Sequence, residues 1–155
     1  MATTQEILEL VDYYEGWGPD FYDDGVITYT APKRSDYHKA FKRLERELDI
    51  DTKRVKKERK ADIICEYDYL TDFAGWYEGV WNYYKKGGWR QQAELTVEPN
   101  NWYTQSTVIH EIGHALGLGH PTDMNRTDTI MSYGAPGDLP WFTNLDIQVL
   151  DYLYN

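Results

Sequence analysis

Residues 36–49 carry Tyr37, Phe41, Leu44 and Leu48 on one face at helical spacing, with charged residues between them. That period predicts an amphipathic helix, which Ser35 or Asp36 can cap. VITYT (26–30) follows the turn residues DDG and reads as a short strand. Residues 53–59 alternate weakly, and ADIICEY (61–67) is a better strand candidate. Further strands are expected within EGVWNYYK (78–85) and QAELTVE (92–98), and a helix over 103–116. Residues 121–142 are rich in Pro, Gly, Asp and Asn and read as loop. In the final FTNLDIQVLDYLYN, Thr143 and Asp146 form a capping pair, while Ile147, Leu150 and Tyr154 share a helix face. This order predicts an α+β, mixed α/β fold: one sheet with helices packed on it and a long irregular segment late in the chain.

Composition narrows the picture. A chain of 155 residues is long enough for one domain with its own core, and 14 Tyr and 6 Trp argue for a packed body. No apolar run approaches the roughly 20 residues that span a bilayer. The acidic start MATTQEILELVDYYEGWGPD does not read as a secretory signal, so cytoplasmic residence or a non-classical export route is expected. Cys65 is the sole cysteine, which excludes an internal disulfide; in ADIIC it reads as a small buried side chain. The net charge of −10 speaks against nucleic acid and anionic membranes as partners. Residues 33–60 hold 12 of the 16 Lys and Arg and 6 of the 26 acids, leaving the remainder at −16. We read that basic stretch as the solvated face of a helix and an adjoining strand.

The chemistry concentrates in HEIGHALGLGH (110–120), which holds three of the four histidines. On a helix, residues four apart lie about 40° apart around the axis and about 6 Å along it. His110 and His114 therefore project from one face and can meet one metal ion. Glu111 lies to the side, outside the ligand set but able to lean over a bound water. Gly117 can take the left-handed conformation that ends a helix, letting residues 118–120 fold back and deliver His120 as a third ligand. Three neutral imidazoles suit zinc with an open position, and zinc lowers the pKa of its bound water to about 7. Glu111 is then placed to act as general base and acid while the metal stabilises an oxyanion. With 4 His and 12 Gly in the chain, this arrangement would arise by chance about once in 10⁵ such sequences. A purely structural zinc site is the stronger competitor. Such sites are usually closed by four ligands, mostly with Cys, and none lies nearby.

HExxHxxGxxH is the signature of the metzincin zinc endopeptidases, and His110, Glu111, His114, Gly117 and His120 match it in full. TIMSYG (129–134) resembles that clan's Met-turn, with Met131 as the apolar floor beneath the histidines. Pro121 after the third histidine and the Met-Ser-Tyr of 131–133 look most like the serralysin-like group. GVITYT (25–30), the ADI of 61–63 and the closing LDIQVLDYLYN resemble elements of serralysin and matrixin catalytic domains. The resemblance implies one catalytic domain over 1–155, zinc being its single catalytic ion. Its upper part, to about 119, would hold a twisted, mostly parallel sheet with two long helices. The lower part, about 120–155, would be short and end in a helix. It implies Tyr133 as a further zinc ligand at rest and an oxyanion donor in catalysis. Substrate would lie along an edge strand within 78–85, and residues 134–142 would border a pocket. There Trp141 and Phe142 can shape the wall, although aromatic core is the favoured assignment. Serralysins usually continue into calcium-binding glycine- and aspartate-rich repeats, and no GGxGxD follows here. The Asp23-Asp24-Gly25 turn can bind calcium but reads as a plain turn. His38 is expected to be a solvent-facing bystander. The expected function is a monomeric zinc endopeptidase acting on peptide or protein substrates. A zinc-stabilised binding module and a narrow-specificity processing protease or toxin are the alternatives.

Overall fold

A computed structural model describes residues 1–11, 25–70, 73–84 and 88–155, with backbone alone at 81–84 and 88–90. The elements are α1 (Thr4–Glu9), β1 (Val26–Thr30), α2 (Asp36–Leu48), β2 (Asp51–Arg54), β3 (Ile63–Tyr67), β4 (Gly75–Tyr84), β5 (Gly88–Val97), α3 (Thr104–Leu116) and α4 (Asn144–Tyr154). The strands form a five-stranded sheet in the order β2-β1-β3-β5-β4. Every pairing is parallel except β4 with β5, so the sheet is mostly parallel and the protein is mixed α/β. Among the described residues β4 lies at the sheet's edge, with one side of its backbone unpaired by another strand.

The central strand β3 is buried at Ile63, Ile64 and Cys65 in succession, as a parallel strand covered on both faces must be. α2 lays Tyr37, Ala40, Phe41, Leu44 and Leu48 on the sheet, and Phe41 stacks on Tyr29 of β1 at 4.0 Å. Ser35 caps it by accepting from His38 N–H, and Asp49 ends it in the left-handed region. The core continues through Val108, Ile112 and Leu116 of α3 to Val149 and Leu150 of α4. From 119 to 143 the chain forms no helix or strand. Polar anchors fix that segment instead. Asp146 is fully buried; it accepts from Thr129 Oγ1, from Ile130 N–H at 2.9 Å and from Thr143 N–H at 3.0 Å. One carboxylate thus closes the capping box of α4 and pins residues 129–130 to it.

Several details depart from the sequence reading: β4, expected within 78–85, begins at Gly75, and β5, expected within 92–98, begins at Gly88. The strand expected at 53–59 occupies 51–54; Val55 still donates to Tyr29 O, after which Glu58–Lys60 turn as a 3₁₀ helix. α1 is an addition, though Thr3 and Glu6 carry its capping signal and Glu6 N–H donates to Thr3 Oγ1. His38 is half-buried, not free in solvent: its Nδ1 lies 2.9 Å from the Tyr29 hydroxyl. None of the lysines and arginines of 33–60 is buried, consistent with a solvated basic face. Asp23 and Asp24 of the possible calcium turn, and Lys85 of the expected edge strand, lie outside the described residues. Among the described residues no helix is long and apolar enough to cross a membrane.

Because Asp146 serves both the α4 cap and Ile130, Asp146→Ala orphans buried donors and should cost about 3 kcal/mol. Thr143→Ala loses chiefly the cap, about 1 kcal/mol. Urea unfolding of the two variants checks this; equal losses would show that the Asp146 bonds to 129–130 add nothing.

Candidate metal centre and cleft

α3 carries His110 and His114 one turn apart, and its C-terminal break delivers His120. Gly117 sits at φ 108°, ψ 12°, a left-handed state that a β-branched residue resists. Leu118 N–H returns to Gly113 O at 2.8 Å, closing the helix in the pattern typical of a glycine C-cap. The reversal brings Leu118 O within 2.9 Å of His114 Nδ1. Ile130 O, in the segment held by Asp146, lies 2.8 Å from His110 Nδ1. A carbonyl can only accept, so both Nδ1 atoms carry the proton and both Nε2 atoms present lone pairs to the site.

His120 Nε2 lies 3.1 Å from His114 Nε2 and 3.3 Å from His110 Nε2. It can offer at most one hydrogen, so at least one of these contacts faces lone pair to lone pair. A cation at the centre removes that repulsion. Nitrogens about 2.0–2.1 Å from a tetrahedral zinc sit about 3.3–3.4 Å apart, close to the observed spacing. The three histidines are positioned to hold a metal ion. Burial depresses His110 to about 4 and His114 to about 3, keeping both neutral and ready to ligate.

Glu111 is buried at 6 % exposure, and desolvation raises its carboxyl to about 8. A nearby divalent cation would favour the carboxylate and oppose that rise. Gly75, the first residue of β4, presses on this side chain: a Cβ there would stand 2.8 Å from Glu111 Oε1 and 2.5 Å from Thr107 Cγ2. Gly113 plays the same part beneath the helix. A Cβ there would meet Met131 Sδ at 2.7 Å, so the fully buried Met131 packs directly against the turn between His110 and His114. Tyr77 of β4 stacks on the His114 ring at 5.5 Å. Sequence reasoning missed Gly75, Gly113 and the Asp146–Ile130 anchor. A mid-helix glycine within HEIGH was the one local hint of close packing.

The triad opens into a cleft of about 1040 Å³. One wall is the start of β4, with Gly75, Trp76 and Tyr77; the other is the segment after His120, with Tyr133, Pro136 and Gly137. Tyr133 is 76 % exposed and its ring lies 5.6 Å from His120, so it is no core tyrosine. Of residues 134–142, Ala135, Pro136 and Gly137 border the cleft, whereas Trp141 and Phe142 are buried in the core. Cys65, on β3, is buried away from this lining.

No family model matches the chain. A stretch of 48 residues is 42% identical to serralysin of Photorhabdus luminescens; it covers 28% of this chain and 10% of serralysin. The chain thus aligns with about a tenth of that relative. This match and the histidine triad are compatible with a metzincin-like protein and suggest a zinc protease.

The perturbed groups give a test on the metal-free chain. His110 and His114 have folded pKa values below the ordinary 6.5, so they withhold stability as pH falls from about 6.5 towards 4. Glu111 has a folded value above its ordinary 4.5, so it withholds stability as pH rises from about 4.5 through 8. Glu111→Gln should therefore raise the metal-free Tm at about pH 8.5 and leave it nearly unchanged at about pH 4. A Tm gain of equal size at both pH values would show that desolvated charge is not the cause.

Proposed function

We propose that the protein is a zinc-dependent endopeptidase of metzincin type, closest to the serralysin-like group. The observation that carries this is the convergence of three imidazole Nε2 atoms beside a buried carboxyl in an open cleft bordered by a free strand edge. A bound zinc supplies Lewis acidity and an acidified water at neutral pH. His110, His114 and His120 hold it. Glu111 accepts the proton as water attacks the scissile carbonyl, then passes it to the departing amine.

An extended substrate pairs its main chain with the outer edge of β4, which draws affinity from backbone hydrogen bonds and asks little of side chains. Tyr133 stands across the cleft from that edge. Its hydroxyl can donate to the carbonyl oxygen as negative charge develops, and its exposure leaves it room to move. Serralysin's name supplies the peptidase analogy for a tenth of its length only; the chemistry of the site supplies the rest.

Glu111→Ala should retain one equivalent of zinc while kcat falls by at least about 10²-fold. Tyr133→Phe should lower kcat by about 10²-fold with metal content and KM little changed. Zinc by elemental analysis and turnover on a peptide library, with and without chelator, decide both. A Glu111→Ala variant that cleaves like the parent refutes the mechanism, and a library left intact by the zinc-loaded parent refutes the peptidase assignment.

A further inference from the structure

His120 lies outside α3, on a segment with no regular structure to hold it, yet its Nε2 meets the other two within 3.3 Å. The N-terminal segment supplies the missing support. On one side of His120, Gly119 N–H donates to Leu10 O at 2.7 Å, and Val11 bridges Leu118 in antiparallel fashion. On the other side, Thr122 N–H donates to Glu9 Oε1 at 3.2 Å. The second Glu9 oxygen accepts from Arg126 Nη1 at 3.3 Å, and Arg126 is itself gripped by Asp128 through two bonds of 2.9 and 2.8 Å. Leu10 is fully buried, which fixes α1's end in the core and gives Glu9 a firm base.

We infer that Glu9 is a positioning residue for the third metal ligand. Together with the Leu10 carbonyl it clamps the backbone on both flanks of His120, so that this imidazole waits at ligating distance instead of being gathered by the ion. Glu9 does not ligate; it acts through Thr122 N–H. The physical gain is preorganisation. A ligand on an unsupported segment must be ordered when metal binds, at a cost in conformational entropy. A ligand already ordered avoids that cost. Outer supports of metal ligands typically change affinity by about 10–100-fold. The Arg126 pair is partly exposed and its attraction is weak, so the hydrogen bond to Thr122 carries the effect.

The inference rests on reading His120 as a ligand, and the test separates the two. Zinc affinity of the full chain is measured by competition with a chromophoric chelator, alongside the Tm of the metal-free protein. A parent that binds no zinc refutes the metal reading itself. With a zinc-binding parent, Glu9→Ala is expected to weaken zinc by about tenfold while the metal-free Tm stays close to the parent's. Glu9→Gln keeps an acceptor of the same reach and should bind zinc like the parent. Glu9→Asp keeps the charge but is one methylene short, and should behave like the Ala variant. An Ala variant as tight as the parent, or a Gln variant as weak as Ala, overturns the proposal. If the Ala variant fails to fold, the Gln and Asp variants decide: equal zinc affinity in those two refutes it.

Discussion

Helix α3 stops at Gly117 because that residue adopts φ 108°, and the stop is what makes a three-ligand site possible. Two histidines on a continuing helix could meet a metal, but a third on the same rod would be carried away along the axis. Reversal at Gly117 returns the chain toward the face it has just left. It also turns Leu118 O onto His114 Nδ1, so the feature that delivers the third imidazole fixes the tautomer of the second. The rest of the molecule holds this reversal still. Gly113 admits Met131 beneath it, Tyr154 donates to Leu116 O at 2.8 Å, and Leu10 O receives Gly119 N–H.

Burial at this point works against stability and for chemistry. Two imidazoles and a carboxyl are withdrawn from water with their charged forms disfavoured. For the imidazoles this yields neutral donors, the form a metal requires. For Glu111 it yields a carboxyl whose proton affinity sits near neutrality, where a general base is most useful. The surrounding core makes the cost tolerable: Val108, Ile112 and Leu116 of the same helix are fully buried against the sheet. A binding module would need the three imidazoles alone. The desolvated Glu111, against which the bare backbone of Gly75 packs, is what the proposed catalytic reading uses and a binding module would not.

Much of this was legible in the chain. Tyr37, Phe41, Leu44 and Leu48 announced α2 because a helix repeats its buried face every three or four residues, and Thr143 with Asp146 announced the start of α4. The histidine trio was legible because helical geometry gives His110 and His114 a shared direction, and Gly117 marks the break that returns His120 to them. What sequence could not give were contacts between distant segments. Asp146 read as a local cap, and nothing nearby says that it also holds Ile130, whose carbonyl orients His110 across the cleft floor. Gly75 carries no local signal because the Glu111 side chain it accommodates is 36 positions away. β2 was misplaced, by two residues at its start and five at its end, because its alternation is weak: an edge strand with exposed Asp51 and Lys53 buries too little to mark its own limits.

The same contrast explains how a segment without helices or strands can form one wall of a precise site. Between 119 and 143 there are no ladder hydrogen bonds to enforce geometry, so the backbone groups there need individual partners, some within the segment, as Gly134 N–H finds Met124 O, and some from elsewhere. Several of those partners come from distant parts of the sequence: Leu10 O takes Gly119 N–H, Glu9 takes Thr122 N–H and Asp146 takes Ile130 N–H, while Tyr154 steadies the end of α3 through Leu116 O. Both termini are therefore components of the site as much as α3 is. The six-residue α1, too short to be stable alone, depends in turn on these contacts: Leu10 is buried in the core and Val11 bridges Leu118.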